Sequence, residues 1–426
     1  MTDNQVQEME RGFSTRLEHC EIAIVGAGLF GRTLALALLL KGFSVTLFDK
    51  DSVAGTESCA FTGAGMLAPY CELETSDPII CALGEDAIRL WSDIISNLGT
   101  DVFLQNSGTI VVSHPTDHFL LNQFQARVDK KLVDQSAKLV WLDTAQLADL
   151  EPSLMPRFSK ALYAADEGQV DNRQLLSALA GALVEHGCEW KADSHVHHIR
   201  KVTITEIDES RASDTPALGL QYPDYDEDQQ ADRVEYQHHA IPKCRYEISV
   251  GAARYAFNLV IDCRGMGAKN QLEELRGVRG EMLEVHAPDV VLTRPVRLLH
   301  PRYPIYIVPR PGHRFLIGAT TIECEDYRPI TVISTLELLS AAYSVDPSFA
   351  QASIIETRVN CRPAFNNNQP LIQHSKGLIQ VNGLYRHGFL VTPKLVSLLL
   401  DFIESKPIDT RFTGLFKEEK QVATVC

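Results

Sequence analysis

The stretch EIAIVGAGLFGRTLALALLLKGFSVTLFDK, from Glu21 to Lys50, decides the fold. Ile22 to Val25 is a short apolar run of the kind found in buried parallel strands. Gly26, Gly28 and Gly31 follow as G-x-G-x-x-G. The first glycine permits a tight turn, the second lets the backbone approach a pyrophosphate, and the third lets the helix lie close to the strand. Phe30 to Lys41 is almost wholly apolar, as a helix buried in a sheet protein should be, and Gly42 ends it. Val45 to Phe48 reads as the next strand, with Asp49 at its carboxyl end. A carboxylate there can accept hydrogen bonds from an adenosine ribose whose pyrophosphate sits at the helix N-terminus. The glycine turn alone is weak. With two strands, a helix and the acid in register, a dinucleotide site is the better reading.

Bulk properties exclude several classes. A chain of 426 residues holds two domains or one large one with an insertion. A formal net charge of −15 argues against nucleic acid as a partner, because phosphate binding needs clustered cations. The 10 cysteines are scattered with no C-x-x-C, and none of the 14 histidines, including His195, His197, His198, His238 and His239, falls into zinc-ligand spacing with them. Reduced buried thiols and no metal site are expected. Residues 1–20 are polar and mixed in charge, unlike a signal peptide, and no apolar run is long enough to span a bilayer. A cytoplasmic protein is expected.

Residues 1–18 read as a mobile tail. Ser58 to Gly65 is rich in small residues and fits neither a helical nor a strand period, which suggests backbone pressed against something flat. Ser76-Asp77-Pro78 starts a helix running to Leu98, and Asp117 to Leu132 and Thr144 to Leu150 are further helices. Asp171 caps a helix ending at His186, and Trp190 to Val196 reads as one strand. Residues 208–243, with YPDYDEDQQAD, read as an acidic insertion loop. Strands are expected at Thr109–Ser113, Leu139–Leu142, Arg245–Val250, Tyr255–Cys263, Gly280–Val285, Pro304–Val308, Arg314–Ala319 and Leu378–Val381. A helix is expected over Ile333–Ser344, and Pro393 is read as the first turn of a final helix to Glu404. The pattern predicts an α/β protein: a discontinuous Rossmann-like nucleotide-binding domain with an inserted α+β domain of antiparallel strands and helices. The boundaries expected are 19–76, 166–278 and 366–415 for the former, and 77–165 and 279–365 for the latter.

Five further blocks occur in order: SCAFTGAGMLAP, PIYIVPR, RFLIGAT, CRPAF and NGLYRHGFLVTP. With the opening stretch they resemble the D-amino-acid oxidase superfamily of flavoproteins, and within it the glycine oxidases of thiamin biosynthesis. The resemblance covers residues 20–405, and the last block is far more specific than the glycine turn. It implies FAD bound without a covalent bond, a small amino acid as substrate and molecular oxygen as acceptor. A homo-oligomer is compatible with it. Gly26, Gly28, Leu29, Phe30 and Gly31 would form the pyrophosphate turn, with Asp49 and Lys50 at the adenosine. Cys59, Ala60, Ala64, Gly65 and Met66 would line the flavin, and Val196 the adenine side. Leu384, Tyr385, Arg386, His387, Gly388, Phe389 and Leu390 would wrap the isoalloxazine edge, with Arg386 also facing substrate. Tyr306 and Arg362 would hold the substrate carboxylate. Two positions depart from the pattern: Asp49 stands where many members carry glutamate, and Thr321 where some glycine oxidases carry methionine.

The residue types suit this chemistry. Oxidising an α-amino acid to an imine removes a hydride that a flavin accepts, so no nucleophile or metal is required of the protein. A planar guanidinium can bind both carboxylate oxygens, and a tyrosine hydroxyl can add a third hydrogen bond. Taken singly, Arg362 would read as a surface ion-pair residue and Tyr306 as core. Their place inside two family blocks reverses that. The resemblance therefore implies oxidative deamination to a 2-oxo acid, ammonia and hydrogen peroxide, supplying dehydroglycine for the thiamin thiazole. Alternatives are an oxidase of other D-amino or N-methyl amino acids, a quinone-linked dehydrogenase, or a flavin-bound subunit without turnover.

Overall fold

The computed structural model describes residues 21–132, 138–202, 245–272 and 274–419. The tail at 1–18 and the acidic stretch at 208–243 lie outside the described residues.

A seven-stranded sheet carries the opening motif. Its strands run in the order Phe416–Glu418, Leu371–Ser375, Leu378–Asn382, Leu259–Asp262, Glu21–Val25, Ser44–Phe48 and Glu189–Lys191. All neighbours are parallel except Leu371–Ser375 against Leu378–Asn382. Parallel strands need both faces covered. Helix Leu29–Leu40 packs between helices Asn172–Glu185 and Gly388–Ile403. The apolar run of Leu34, Leu36 and Leu38 disappears with Leu179, Leu395 and Leu399 into one core.

An eight-stranded sheet forms the other half, in the order Ser353–Ala364, Arg276–His286, Arg314–Gly318, Ile305–Arg310, Val296–Leu299, Thr109–Ser113, Ala161–Ala164 and Val140–Leu142. It is antiparallel except where Val296–Leu299 meets Thr109–Ser113. Helix Val332–Val345 covers it, burying Leu338, Ala342 and Val345 with Leu283, Ile307 and Ile317. Two smaller three-stranded sheets complete the molecule. Among the described residues no helix is long and apolar enough to cross a membrane.

The expected elements at 109–113, 144–150 and 171–186 are found, but four others are cut differently. The helix expected from Ser76 to Leu98 is two, Pro78–Gly84 and Ala87–Ile95. Leu390 fills the space over Gly84, where a Cβ would come within 2.5 Å of it, and the chain turns at Glu85 and Asp86. The strand expected at Trp190–Val196 is broken by Asp193, whose φ of 52° is left-handed. Its first part joins the parallel sheet and Val196–Val202 joins a small antiparallel one. Tyr255–Cys263 likewise divides at Asn258, whose N–H donates to Glu21 O at 3.3 Å.

The fourth correction concerns Pro393, which lies inside helix Gly388–Ile403 and not at its start. A mid-helix proline removes one donor, so the carbonyl four residues back loses its partner. That carbonyl, Phe389 O, accepts from Trp91 Nε1 at 2.7 Å, and Trp91 is completely buried. The small-residue stretch also contains a one-turn helix, Cys59–Thr62, capped by the Ser58 hydroxyl.

Candidate active site

The two large sheets both contribute walls to a cavity of about 900 Å³. The seven-stranded sheet supplies the carboxyl ends of its parallel strands, through Gly26, Gly28, Leu29, Phe30, Asp49, Lys50 and Arg264. Ligands bind at such ends in open α/β sheets.

The three glycines of the turn meet three different surroundings. A Cβ on Gly26, whose φ is +111°, would lie 2.7 Å from Cys263 O, and one on Gly31 would lie 1.9 Å from Gly26 O. Both must be glycine because protein backbone is in the way. A Cβ on Gly28 would meet no atom of the described residues within 4 Å. Gly28 faces the cavity, and helix Leu29–Leu40 begins there with no side-chain cap. Its first N–H groups are thus left for a ligand, as a pyrophosphate requires. Asp49 is held by the backbone: its Oδ2 accepts from Ala27 N, and its Oδ1 from Asp51 N at 2.8 Å. These residues fit a dinucleotide.

Cys59, Ala60, Ala64, Gly65, Met66 and Val196 also line the cavity. Gly65, at φ +63°, is pinned by Val170 N donating to its carbonyl at 2.8 Å. Burial pushes the Cys59 thiol up to about 12, so it remains protonated. Its Sγ donates to Cys361 O at 3.0 Å. Leu384, Tyr385, Arg386, Gly388 and Phe389 line another part. Tyr385 N donates to Pro363 O at 2.9 Å, which ties this loop to the strand bearing Arg362.

Gly31, His387 and Leu390 are not in the wall. Gly31 packs against the turn, Leu390 against Gly84, and the His387 ring is buried behind the loop with Nδ1 3.5 Å from Glu72 Oε2. Burial draws the His387 pKa down to about 4, only partly offset by Glu72, so the ring is neutral near pH 7.

The eight-stranded sheet brings Tyr306 and Arg362 to the same cavity. Arg362 donates from Nη1 to Thr320 O at 3.1 Å. It lies across Gly280, where a Cβ would come 2.2 Å from Nη2. Among the described residues no carboxylate stands within 4.0 Å of it. Tyr306 points its hydroxyl toward Met282 Sδ at 3.7 Å. Burial raises its pKa, although Arg362 pulls it back, so the phenol remains a donor.

Glu72 and Arg297 belong to the same wall and were not singled out from sequence. Arg386 Nε lies 2.7 Å from Glu72 Oε2, and its Nη2 donates to Thr75 Oγ1. Arg297 pairs with Glu74 Oε2 at 2.8 Å and donates to Cys71 O at 2.9 Å. Burial pushes the Glu72 carboxyl up, but the Arg386 guanidinium, helped by Arg297 and Arg362, offsets this and its pKa is lowered. The one signal in sequence was the spacing of Glu72 and Glu74 just beyond the A-G-M-L-A-P block.

Comparisons with known proteins agree with this geometry. The family model for FAD dependent oxidoreductases matches residues 21–395. The chain is 36% identical over 374 residues to the putative thiamine biosynthesis oxidoreductase of Rhizobium etli, covering 88% of this chain and 93% of that protein. It is 25% identical over 394 residues to the glycine oxidase of Geobacillus kaustophilus, covering 91% and 93%. The crystal structure of a glycine oxidase from that organism superposes with a TM-score of 0.74 at 23% identity, over 93% of this chain and 98% of the other. The glycine turn, the aspartate behind it and a family match over most of the chain lead to one conclusion: this chain belongs to the FAD dependent oxidoreductases of the D-amino-acid oxidase type.

Proposed function

We propose that this protein oxidises glycine or another small amino acid to its imine, which water hydrolyses to the 2-oxo acid and ammonia. The observation that carries the reading is Arg362, a cation without a carboxylate partner among the described residues, in the cavity that holds the nucleotide turn. A substrate carboxylate is the anion its planar fork suits. When bound, FAD supplies the hydride acceptor. Arg362 and Tyr306 orient the carboxylate so that the α-carbon is presented in a fixed pose. Tyr306 stays protonated and can donate. His387 stays neutral and adds no positive charge. We assign residues 19–76, 166–278 and 366–415 to the cofactor side and 77–165 and 279–365 to the substrate side. The name of the Rhizobium etli relative supports a place in thiamin biosynthesis, and we propose dehydroglycine from glycine as the product consumed there.

The test is a substrate panel on the purified flavoprotein, with glycine, sarcosine, D-alanine and D-proline. Oxygen uptake, hydrogen peroxide and ammonia are measured together. Turnover of glycine with equal peroxide and ammonia is expected. Turnover with a quinone but not with oxygen would make it a dehydrogenase, and no turnover of any amino acid would overturn the reading.

A further inference from the structure

Arg32 has no part in the chemistry above and does not line the cavity. It lies in the first turns of helix Leu29–Leu40, is 1% exposed, and is one of the largest completely buried side chains. Its guanidinium donates to three carbonyls: Ala27 O at 2.7 Å, Leu176 O at 2.8 Å and Val53 O at 2.9 Å. These belong to three separate segments, the glycine turn, helix Asn172–Glu185 and the loop after Asp49. Gly55 folds directly onto it, since a Cβ there would lie 2.3 Å from Nη2. The Trp190 ring centre is 5.0 Å from the guanidinium carbon. Ala27 and Gly55 are both cavity walls.

Among the described residues no carboxylate lies within 4.0 Å of Arg32. Burial lowers its pKa to about 10, while Asp49 and Asp51 pull it back, so it is cationic at neutral pH. A buried cation is costly unless an anion or several dipoles compensate it. Three carbonyls do part of this. A pyrophosphate carries two negative charges, and a helix N-terminus offers only about half a positive one. The remaining positive charge stands immediately behind the turn.

We propose that Arg32 is a positioning residue for the cofactor: it locks the glycine turn to the loop after Asp49 and supplies the buried positive charge that a pyrophosphate at the turn requires. The proposal concerns cofactor affinity and does not depend on which amino acid is oxidised.

The test is equilibrium dialysis of the full-length flavoprotein against falling FAD concentrations, reading bound flavin by absorbance. Three variants separate charge from hydrogen bonding. Arg32→Lys keeps the charge and loses the fork, Arg32→Gln keeps some hydrogen bonding and loses the charge, and Arg32→Met loses both. Dissociation constants should rise in that order, with Arg32→Met weakened roughly 10- to 100-fold. FAD bound by Arg32→Met as tightly as by the parent, or by Arg32→Gln as tightly as by Arg32→Lys, would overturn the proposal. If Arg32→Met does not accumulate as folded protein, the comparison of Arg32→Lys with Arg32→Gln decides it.

Discussion

Arg386 is neutralised by Glu72: Nε lies 2.7 Å from Oε2, in a wall where Arg362 has no such partner among the described residues. Two guanidiniums on one cavity are thereby made unequal. Arg386 already has its anion; in the proposed function Arg362 takes its own from the substrate.

Replacing Arg362 by alanine should accordingly weaken amino-acid binding by roughly two orders of magnitude, since removing one partner of a buried charge pair costs on the order of 2–5 kcal/mol. Arg362→Lys should recover part of this, because an ammonium lacks the planar fork. Tyr306→Phe should cost less than either. Gly280→Ala should mimic the loss with the guanidinium intact, because its Cβ would fall 2.2 Å from Nη2. Steady-state KM with flavin content measured in parallel checks all four. Normal KM in Arg362→Ala with loss in Arg386→Ala would reassign the carboxylate to Arg386.

Glu72→Gln frees the Arg386 charge without emptying its space. Simple monocarboxylates that compete with substrate should then bind several-fold more tightly, in a manner weakened by salt. Inhibition constants at two ionic strengths measure this. Unchanged values in both would show that the Glu72 charge is not felt at the substrate position.

Glu167 gives a pH prediction. It is completely buried, its Oε1 accepts from Tyr70 N at 2.9 Å and Cys71 N at 2.7 Å, and Oε2 has no hydrogen-bond partner among the described residues. Burial raises its pKa to about 7. A raised folded-state pKa means the native state binds the proton more tightly than the unfolded chain does. The contribution is full below the ordinary carboxyl range and is lost as pH rises toward 7. His387 acts in the opposite sense: its pKa near 4 makes stability fall as pH drops from about 6.5 to 4. Glu167→Gln should remove the loss between about pH 4.5 and 7, and His387→Asn the loss on the acid side. Melting temperature against pH for each variant is the check. An unchanged slope in Glu167→Gln would mean the carboxyl is ionised in the native state.

The contact between Trp91 and Phe389 predicts a coupling. Trp91→Phe removes the donor to a carbonyl that Pro393 has orphaned, and should destabilise by about 1–3 kcal/mol. In a Pro393→Ala background that carbonyl has a helical donor again, so the same substitution should cost less. A double-mutant cycle in urea measures the difference, and strict additivity would contradict it.

That contact also shows where sequence reading fails. Gly26 to Asp49 was legible because every relevant interaction is local: strand, turn, helix and acid are encoded within thirty residues. Pro393 was read as a helix start because proline commonly is, and nothing nearby shows that a tryptophan about 300 positions earlier donates to the stranded carbonyl. Glu72 was passed over for the same reason, its partner Arg386 being equally remote in the chain. His387 and Leu390 shared a block with true wall residues. Neither lines the cavity because Leu390 packs against Gly84 and the His387 ring turns toward Glu72. Arg32 was given no role in the sequence reading, and its carbonyl partner Leu176 lies 144 positions away.

The measurement that bears most directly on the proposed activity is anaerobic addition of glycine to the FAD-loaded protein, followed by admission of oxygen. The visible flavin absorbance should fall on addition and return with oxygen, yielding one peroxide per glycine consumed, and Arg362→Ala should need far more glycine for the same loss. An absorbance unchanged by glycine, sarcosine and D-alanine alike, in protein that retains its FAD, would contradict the account.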